Sequence, residues 1–375
     1  MRKTMASLAT LGVAAALTLT ACGSSGDNDN KSSGTESSGS SSVQVGVILP
    51  DTTSSTRYTL YDKPLLEKAF QDADIKADVQ NAQGSTSKFA SIAQNMIGEG
   101  VKVLIIDSID PQSGAGVEKQ AAAAGVKVID YDRVNLGGSA GYYVSFDNEL
   151  VGKLQAQTLV KALEDNKVSD PRIITMDGGT DVDNNAVLFK KGAHEVLDPL
   201  QSQGKLKIVN EQVVKGWDVN NAAPAFQQAM TAVDGKVDGV LAANDDIANA
   251  VIGVLKTNGL AGKVAVTGQD SGVEGLQNIV KGLQTMTIFK DVKLEAAAAS
   301  KLAIALIQGT DPSSAGVTLT DFADPESPSH KIQALLLKPA VITKDNISDV
   351  ITAGALTKAQ ICKGIAAQCA KVGLS

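Results

Sequence analysis

Residues 128–152 read VIDYDRVNLGGSAGYYVSFDNELVG, and the fold turns on how this stretch is read. An apolar, β-rich run over 126–129 delivers Asp130, Tyr131, Asp132 and Arg133 at its carboxyl end. A Gly-Gly turn follows, then a second short strand over 142–146. Next comes an expected helix with Asp147 or Asn148 as its cap and Leu150, Leu154 and Leu159 on the buried side. In open α/β sheets, ligands sit outside the carboxyl ends of the strands. An acid beside a guanidinium at such an end is therefore read as a recognition pair and not as a charged surface turn.

The same alternation extends in both directions. Upstream, strands are expected over 43–49 and 101–106, and helices over 59–72 and 114–124. Pro64 requires a helix to begin near it. Phe89, Ile92, Ala93 and Met96 follow the spacing of one buried helical face. Downstream, strands are expected over 172–176, 206–213, 239–242, 264–268 and 285–288. Helices are expected over 185–200, 220–233, 245–257, 273–281 and 294–308. Short βα units imply parallel strands with right-handed crossovers. Two successive sets imply an α/β protein of two similar doubly wound parallel-sheet lobes.

Composition narrows the function. The net charge of −7 and the lack of a basic stripe argue against nucleic acid. The only two histidines, His194 and His330, sit in unrelated contexts, and no HExxH or CxxC spacing occurs, so no metal or cofactor is expected. Residues 1–21 read as a signal peptide: Arg2 and Lys3, an apolar run over 8–19, then Leu19-Thr20-Ala21-Cys22, a lipoprotein-type box with Cys22 as the lipidated residue. Its removal leaves 32 basic and 41 acidic residues, a net charge of −9. Residues 22–42 comprise that cysteine and a Ser/Gly/Asn/Asp tether too polar to bury anything, reaching on the order of 25 Å. Cys362 and Cys369 lie seven apart near the end, where a disulfide is the default outside the cytoplasm. On one straight helix they would stand about 10 Å apart, so a bond requires a bend, for which Gly364 is the natural place. Two buried free thiols are the alternative.

The polar residues at the strand ends carry the chemistry. Asp51 and Arg57-Tyr58 follow the first strand, and Asp132-Arg133 ends the run described above. Further on come Asp177-Gly178-Gly179 with Asp183-Asn184-Asn185, Gly216-Trp217-Asp218, Asn244-Asp245-Asp246, Gln269-Asp270 and Phe289-Lys290. Carboxylates, amides and cations recur there, with the only tryptophan of the chain. A sugar needs such a mixture: each hydroxyl donates once and accepts twice, and the ring's apolar face wants an aromatic plane. Individually each has a plainer reading, such as Asn185 and Asn244 as helix caps. Their recurrence at strand ends in both halves favours binding.

In this order YDR, VSFDNELVG, GGTDVDNNA, KGWD, AANDD, TGQD and QTMTIFKD resemble the xylose-binding proteins of ABC importers, within the type I periplasmic-binding family. TTSSTRY and LLLKPAVITKDN are also similar to the related glucose- and galactose-binding proteins. The resemblance runs from about 43 to 346. It implies a three-crossover hinge near Phe146-Asp147, Phe289-Lys290 and 321–331. The first lobe would be 43–147, completed by about 290–328, and the second 148–289, completed by about 329–375. It also implies sugar contacts from Arg57, Asp132, Arg133, Asn185, Trp217, Asn244, Asp270 and Lys290. Tyr58 stands where the family often has Trp, giving one stacking plane opposite Trp217.

The expected function is therefore a monomeric, extracytoplasmic lipoprotein of an ABC importer, anchored to the membrane through Cys22 alone. It would bind a monosaccharide, D-xylose first, and pass it to a permease and its ATPase. A glucose/galactose-binding protein and a sugar sensor for a receptor are the alternatives. A glycosidase using Asp132 and Asp270 is disfavoured, because Arg133 beside Asp132 keeps that carboxylate ionised.

Overall fold

The computed structural model describes residues 42–374. The expected signal peptide, Cys22 and nearly all of the expected tether lie outside the described residues. No helix among the described residues is long and apolar enough to cross a membrane.

The first lobe opens with β1 (Val45–Leu49), a π-helical turn over Tyr58–Asp62 and α1 (Lys63–Asp72). It continues with β2 (Ala77–Asn81), α2 (Thr86–Gly98), β3 (Val103–Ile106), α3 (Pro111–Ala123), β4 (Lys127–Tyr131) and β5 (Tyr142–Phe146). The second lobe follows with α4 (Asn148–Asp165), β6 (Arg172–Asp177), α5 (Asn184–Ser202), β7 (Lys207–Val213), α6 (Ala222–Ala232) and β8 (Gly239–Ala242). Then come α7 (Asp245–Thr257), β9 (Ala265–Val266), α8 (Val273–Lys281) and β10 (Thr287–Phe289). The chain crosses back for α9 (Val292–Gln308), β11 (Thr320–Ala323) and β12 (Lys331–Leu337). It ends in the second lobe with β13 (Ala340–Ile342), α10 (Ser348–Thr352), α11 (Lys358–Ile361) and α12 (Ala366–Lys371).

The first sheet runs β11-β12-β5-β4-β3-β1-β2, parallel except for β11. The second runs β7-β6-β8-β9, all parallel. A parallel bridge from Gln269 to Ile288 links it to the antiparallel pair β10-β13. Strand order reverses beside β1 and β3 in the first sheet and beside β6 and β8 in the second. Both switch points open toward one cleft, where such sheets bind ligands.

Several expectations need correction. β12 pairs with β5 from Gln333↔Tyr142 to Leu337↔Phe146, so the first lobe extends to Leu337 and the third crossover lies at Lys338-Pro339, not over 321–331. The second lobe is accordingly completed from β13 and not from about residue 329. β2 was not anticipated: its sequence, ADVQN, buries only Val79 fully, as an edge strand can. The helix expected from Thr59 is α-helical only from Lys63, after the π-turn, with Pro64 in its first turn. On α4, Asp147 is the cap, its side chain accepting from the Leu150 amide at 3.0 Å. The buried face is Asn148, Val151, Gly152, Gln155, Ala156, Leu159 and Leu163; Leu150 and Leu154 are only half-buried. Gly152 and Gly192 explain this face. A Cβ on Gly152 would stand 1.8 Å from the Phe189 carbonyl oxygen, and one on Gly192 would stand 1.9 Å from that of Glu149. Only glycine lets α4 and α5 approach so closely.

Cys362 and Cys369 form a disulfide with Cα atoms 5.9 Å apart. The chain turns between them at Gly364, whose φ is 76°.

Candidate functional site

The lobes are closed on one another, and one cavity lies between the two sets of strand ends. Arg57, Tyr58, Asp132, Arg133, Asn185, Trp217, Asn244, Asp270 and Lys290 all line it. The sequence-based selection left out Ser54, Ser55, Asp183, Phe189 and Gln269, which line it too. Each had a signal: Ser54 and Ser55 belong to TTSSTRY, Asp183 to GGTDVDNNA and Gln269 to TGQD, and Phe189 stands one helical turn after Asn185.

The first lobe supplies an ordered charge network. The π-turn after Arg57 widens the helix start and directs Arg57, Tyr58 and Asp62 inward. Arg57 donates to both Asp62 oxygens, at 3.0 and 2.7 Å, to Asp132 Oδ1 at 3.1 Å and to Glu295 Oε2 at 2.5 Å. The Tyr58 hydroxyl donates to Asp132 Oδ2 at 3.0 Å. Burial alone would raise the Asp132 carboxyl, but Arg57, Lys290 and Arg133 outweigh it and hold it at about 2. Burial pushes Glu295 up to about 8 against the pull of Arg57. Arg133 lies between Asp107 (3.7 Å) and Asp183 of the second lobe (3.5 Å), and its Nη1 donates to the Ser108 carbonyl. Burial keeps Asp107 well above the carboxylate range despite Arg133.

The second lobe supplies an aromatic wall and a second charge pair. Gly178 and Gly179 follow β6 and make room for the indole: a Cβ on Gly178 would lie 2.1 Å from Trp217 Cη2. Trp217 Nε1 donates to Asp183 Oδ2 at 3.0 Å, and its ring meets Phe189 edge-on at 6.3 Å. Asp183, and not Asn185, caps α5, accepting from the Asn185 amide at 2.8 Å. The Asn185 side chain is thereby left to cross the cleft, donating to the Asp132 carbonyl at 2.9 Å. Asn244 does cap α7, through Oδ1, while its Nδ2 points to the Ser54 carbonyl of the first lobe at 3.5 Å. Lys290 pairs with Asp270 at 3.2 Å and stands 5.7 Å from the Phe189 ring centroid. Burial would lower the Lys290 ammonium, but Asp270 and then Asp132 raise it instead.

Two further features belong to the cavity and the turn beside it. Gln269 Oε1 is buried without a hydrogen-bond partner in the protein, while Arg133 Nε and Asp270 Oδ1 have only the ion-pair partners given above. Asp132, Trp217, Asp270 and Ser271 adopt φ values of 60°, 57°, 88° and 51°, a strained region for residues other than glycine. No group of His, Cys, Asp and Glu among the described residues is arranged to hold a metal ion.

Residues 45–311 match the family described as periplasmic binding protein domain. The D-xylose-binding periplasmic protein of Escherichia coli is 37% identical over 290 residues, covering 77% of this chain and 84% of the relative. A carbohydrate transporter solute-binding protein from Chloroflexus aurantiacus, solved in complex with D-glucose, superposes with a TM-score of 0.76 at 29% identity. That match covers 84% of this chain and 97% of the other. An ABC transporter solute-binding protein from Clostridium phytofermentans with bound β-D-glucose gives 0.76 at 28% identity, over 85% and 99%.

Proposed function

The chain belongs to the periplasmic binding protein family, and from that premise we propose that it binds a monosaccharide between its lobes and delivers it to an ABC permease. D-xylose is the first ligand to test, because the xylose-binding relative is the more similar in sequence. D-glucose is the second, because the structural relatives with the higher coverage carry it. The protein would act outside the cytoplasmic membrane, held there by a lipid on Cys22.

One observation carries this reading: polar groups from both lobes converge, buried, on a single small cavity with an indole and a phenol in its wall. Gln269 brings an oxygen that the protein leaves unpaired, and Arg133 Nε and Asp270 Oδ1 are held only by ion pairs, with capacity left for a ligand. Sugar hydroxyls satisfy such atoms, and hydrogen bonds to charged groups contribute about 1.5–3 kcal/mol each. The residues read from the sequence would share the work. Asp132, Asp270, Asn185 and Asn244 would take or give hydroxyl bonds, and Arg57, Arg133 and Lys290 would donate. Tyr58 and Trp217 would cover the ring faces. Contacts from both lobes mean that the ligand favours the closed arrangement, which the permease would read. Hydrolysis is poorly supported, since a carboxyl held at about 2 has no proton to give at neutral pH.

Calorimetry with xylose, glucose, galactose, ribose and arabinose is the direct test, in the presence and absence of EDTA. Xylose should bind in the micromolar range or tighter, with EDTA making no difference. Asp270→Ala should weaken binding by roughly 30- to 1000-fold, the equivalent of about 2–4 kcal/mol. Absence of any monosaccharide binding below about 100 μM would remove the proposal.

A further inference from the structure

The C-terminal segment, beyond the residues that match the family, reaches back across the hinge. α11 begins with a capping box between Thr357 and Gln360 and ends at Cys362. The disulfide to Cys369 on α12 folds the chain back on itself. Ile361, Ile365 and Cys369 are thereby buried in one cluster with Leu276 and Ile279 of α8, and Gln277 donates to the Lys363 carbonyl at 3.2 Å. α8 directly follows the strained Asp270-Ser271 turn at the cavity.

Two contacts of this segment come from the first lobe. Tyr61, three residues after the cavity-lining Tyr58, packs against the same cluster. Lys293, in the first turn of α9 and three residues after Lys290, donates from Nζ to the Ala353 carbonyl. The tail from Ala353 onward, whose last part the disulfide closes, thus meets Lys293 directly and shares one cluster with Tyr61 and α8, next to residues that line the cavity on each side.

We propose that this tail is a latch on lobe closure. Its contacts with Tyr61 and Lys293 form in the closed arrangement and weaken on opening, so they add to the stability of the closed state. A ligand that binds the closed state then gains affinity in proportion to the closed fraction. The disulfide matters because an unstapled tail would have to be ordered at every closure, at a cost in chain entropy. Lys293 and Tyr61 are positioning residues in this scheme and make no contact with the ligand. The inference rests on the sugar-binding reading, so its test carries a readout that does not need sugar.

The experiment compares wild type, Cys362→Ser/Cys369→Ser, Lys293→Met and the triple variant. Xylose affinity is measured by calorimetry, and lobe separation in the absence of sugar by small-angle X-ray scattering. Lys293→Met keeps the disulfide and guards against a general folding defect. The serine pair and Lys293→Met should each lower affinity about 3- to 10-fold. The triple variant should fall no more than about twofold below the serine pair, because all act through one latch. Sugar-free scattering should show wider separation in every variant. Unchanged affinity and unchanged scattering in Lys293→Met would overturn the latch, reducing the disulfide to a staple within the second lobe. If wild type binds no monosaccharide, the functional proposal fails on its own, and the scattering comparison still decides the latch.

Discussion

Trp217 has a φ of 57°, a value that bulky side chains avoid at a cost of about 1–3 kcal/mol. Its neighbours hold it there. The Asp183 carboxylate accepts from the indole, Phe189 closes one edge, and the bare backbone of Gly178 and Gly179 lies against the ring. A methyl group on Gly178 would meet the indole itself, at 2.1 Å from Cη2, so the ring must move. Gly178→Ala should therefore lower sugar affinity at least 10-fold and alter the fluorescence response to sugar. Trp217 is the sole tryptophan, which makes that signal unambiguous. A variant with wild-type affinity and an unchanged response would mean that the indole is not a ligand wall. Residue by residue, the sequence marked nine of the cavity-lining positions, since charged and aromatic residues at strand ends are visible without coordinates. Ser54, Ser55 and Asp183 stood in quoted motifs but were not selected as contacts, because small polar and capping residues look the same in any loop.

At the scale of elements, α9 shows how a helix that touches no ligand sets the electrostatics of the site. It crosses back from the second lobe, packs on α1 and brings Glu295, fully buried, against Arg57. Glu295 is raised to about 8 in the fold from an ordinary value of 4.5. The folded protein therefore holds a proton that the unfolded chain releases above about 4.5. Its contribution to stability is full below that pH and is lost as pH rises through about 8. Wild type should lose about 2–4 kcal/mol of stability between pH 5 and 9 relative to Glu295→Gln. Denaturant unfolding at both pH values measures this difference, and parallel pH profiles for the two proteins would refute it. The helical periodicity of α9 was legible. Its return to the first lobe was expected only through the family resemblance, because a crossover leaves no local pattern.

For the whole molecule, closure brings Arg133 to Asp183 and Asn185 to Asp132 across the cleft. Each lobe alone presents half of the cavity wall. Under the proposed function, a lipid on Cys22 would hold the protein close to its permease. Cys22→Ala should leave the precursor without lipid and unprocessed, and fractionation should find it unlipidated. Recovery of normal lipidated protein from this variant would dispose of the anchor.

The sequence by itself determined the α/β class, the parallel βα units and the polar character of most strand ends. Hydrophobic periodicity and capping are local, and they report on a residue's own element. Edge strands such as β2 and β13 were lost because five or three residues with little buried surface carry too weak a pattern. Only the tertiary structure decided that β12 belongs beside β5, which shifts the third crossover to Lys338-Pro339. It alone revealed that the C-terminal tail meets Lys293 and shares a cluster with Tyr61. It also separated the two asparagines: Asn244 caps its helix, while Asn185 is released for the cleft by Asp183. The physical reason is the same in each case. Strand pairing, crossover placement and the partner of a buried amide depend on residues distant in the chain, and their energies arise only when the lobes are packed.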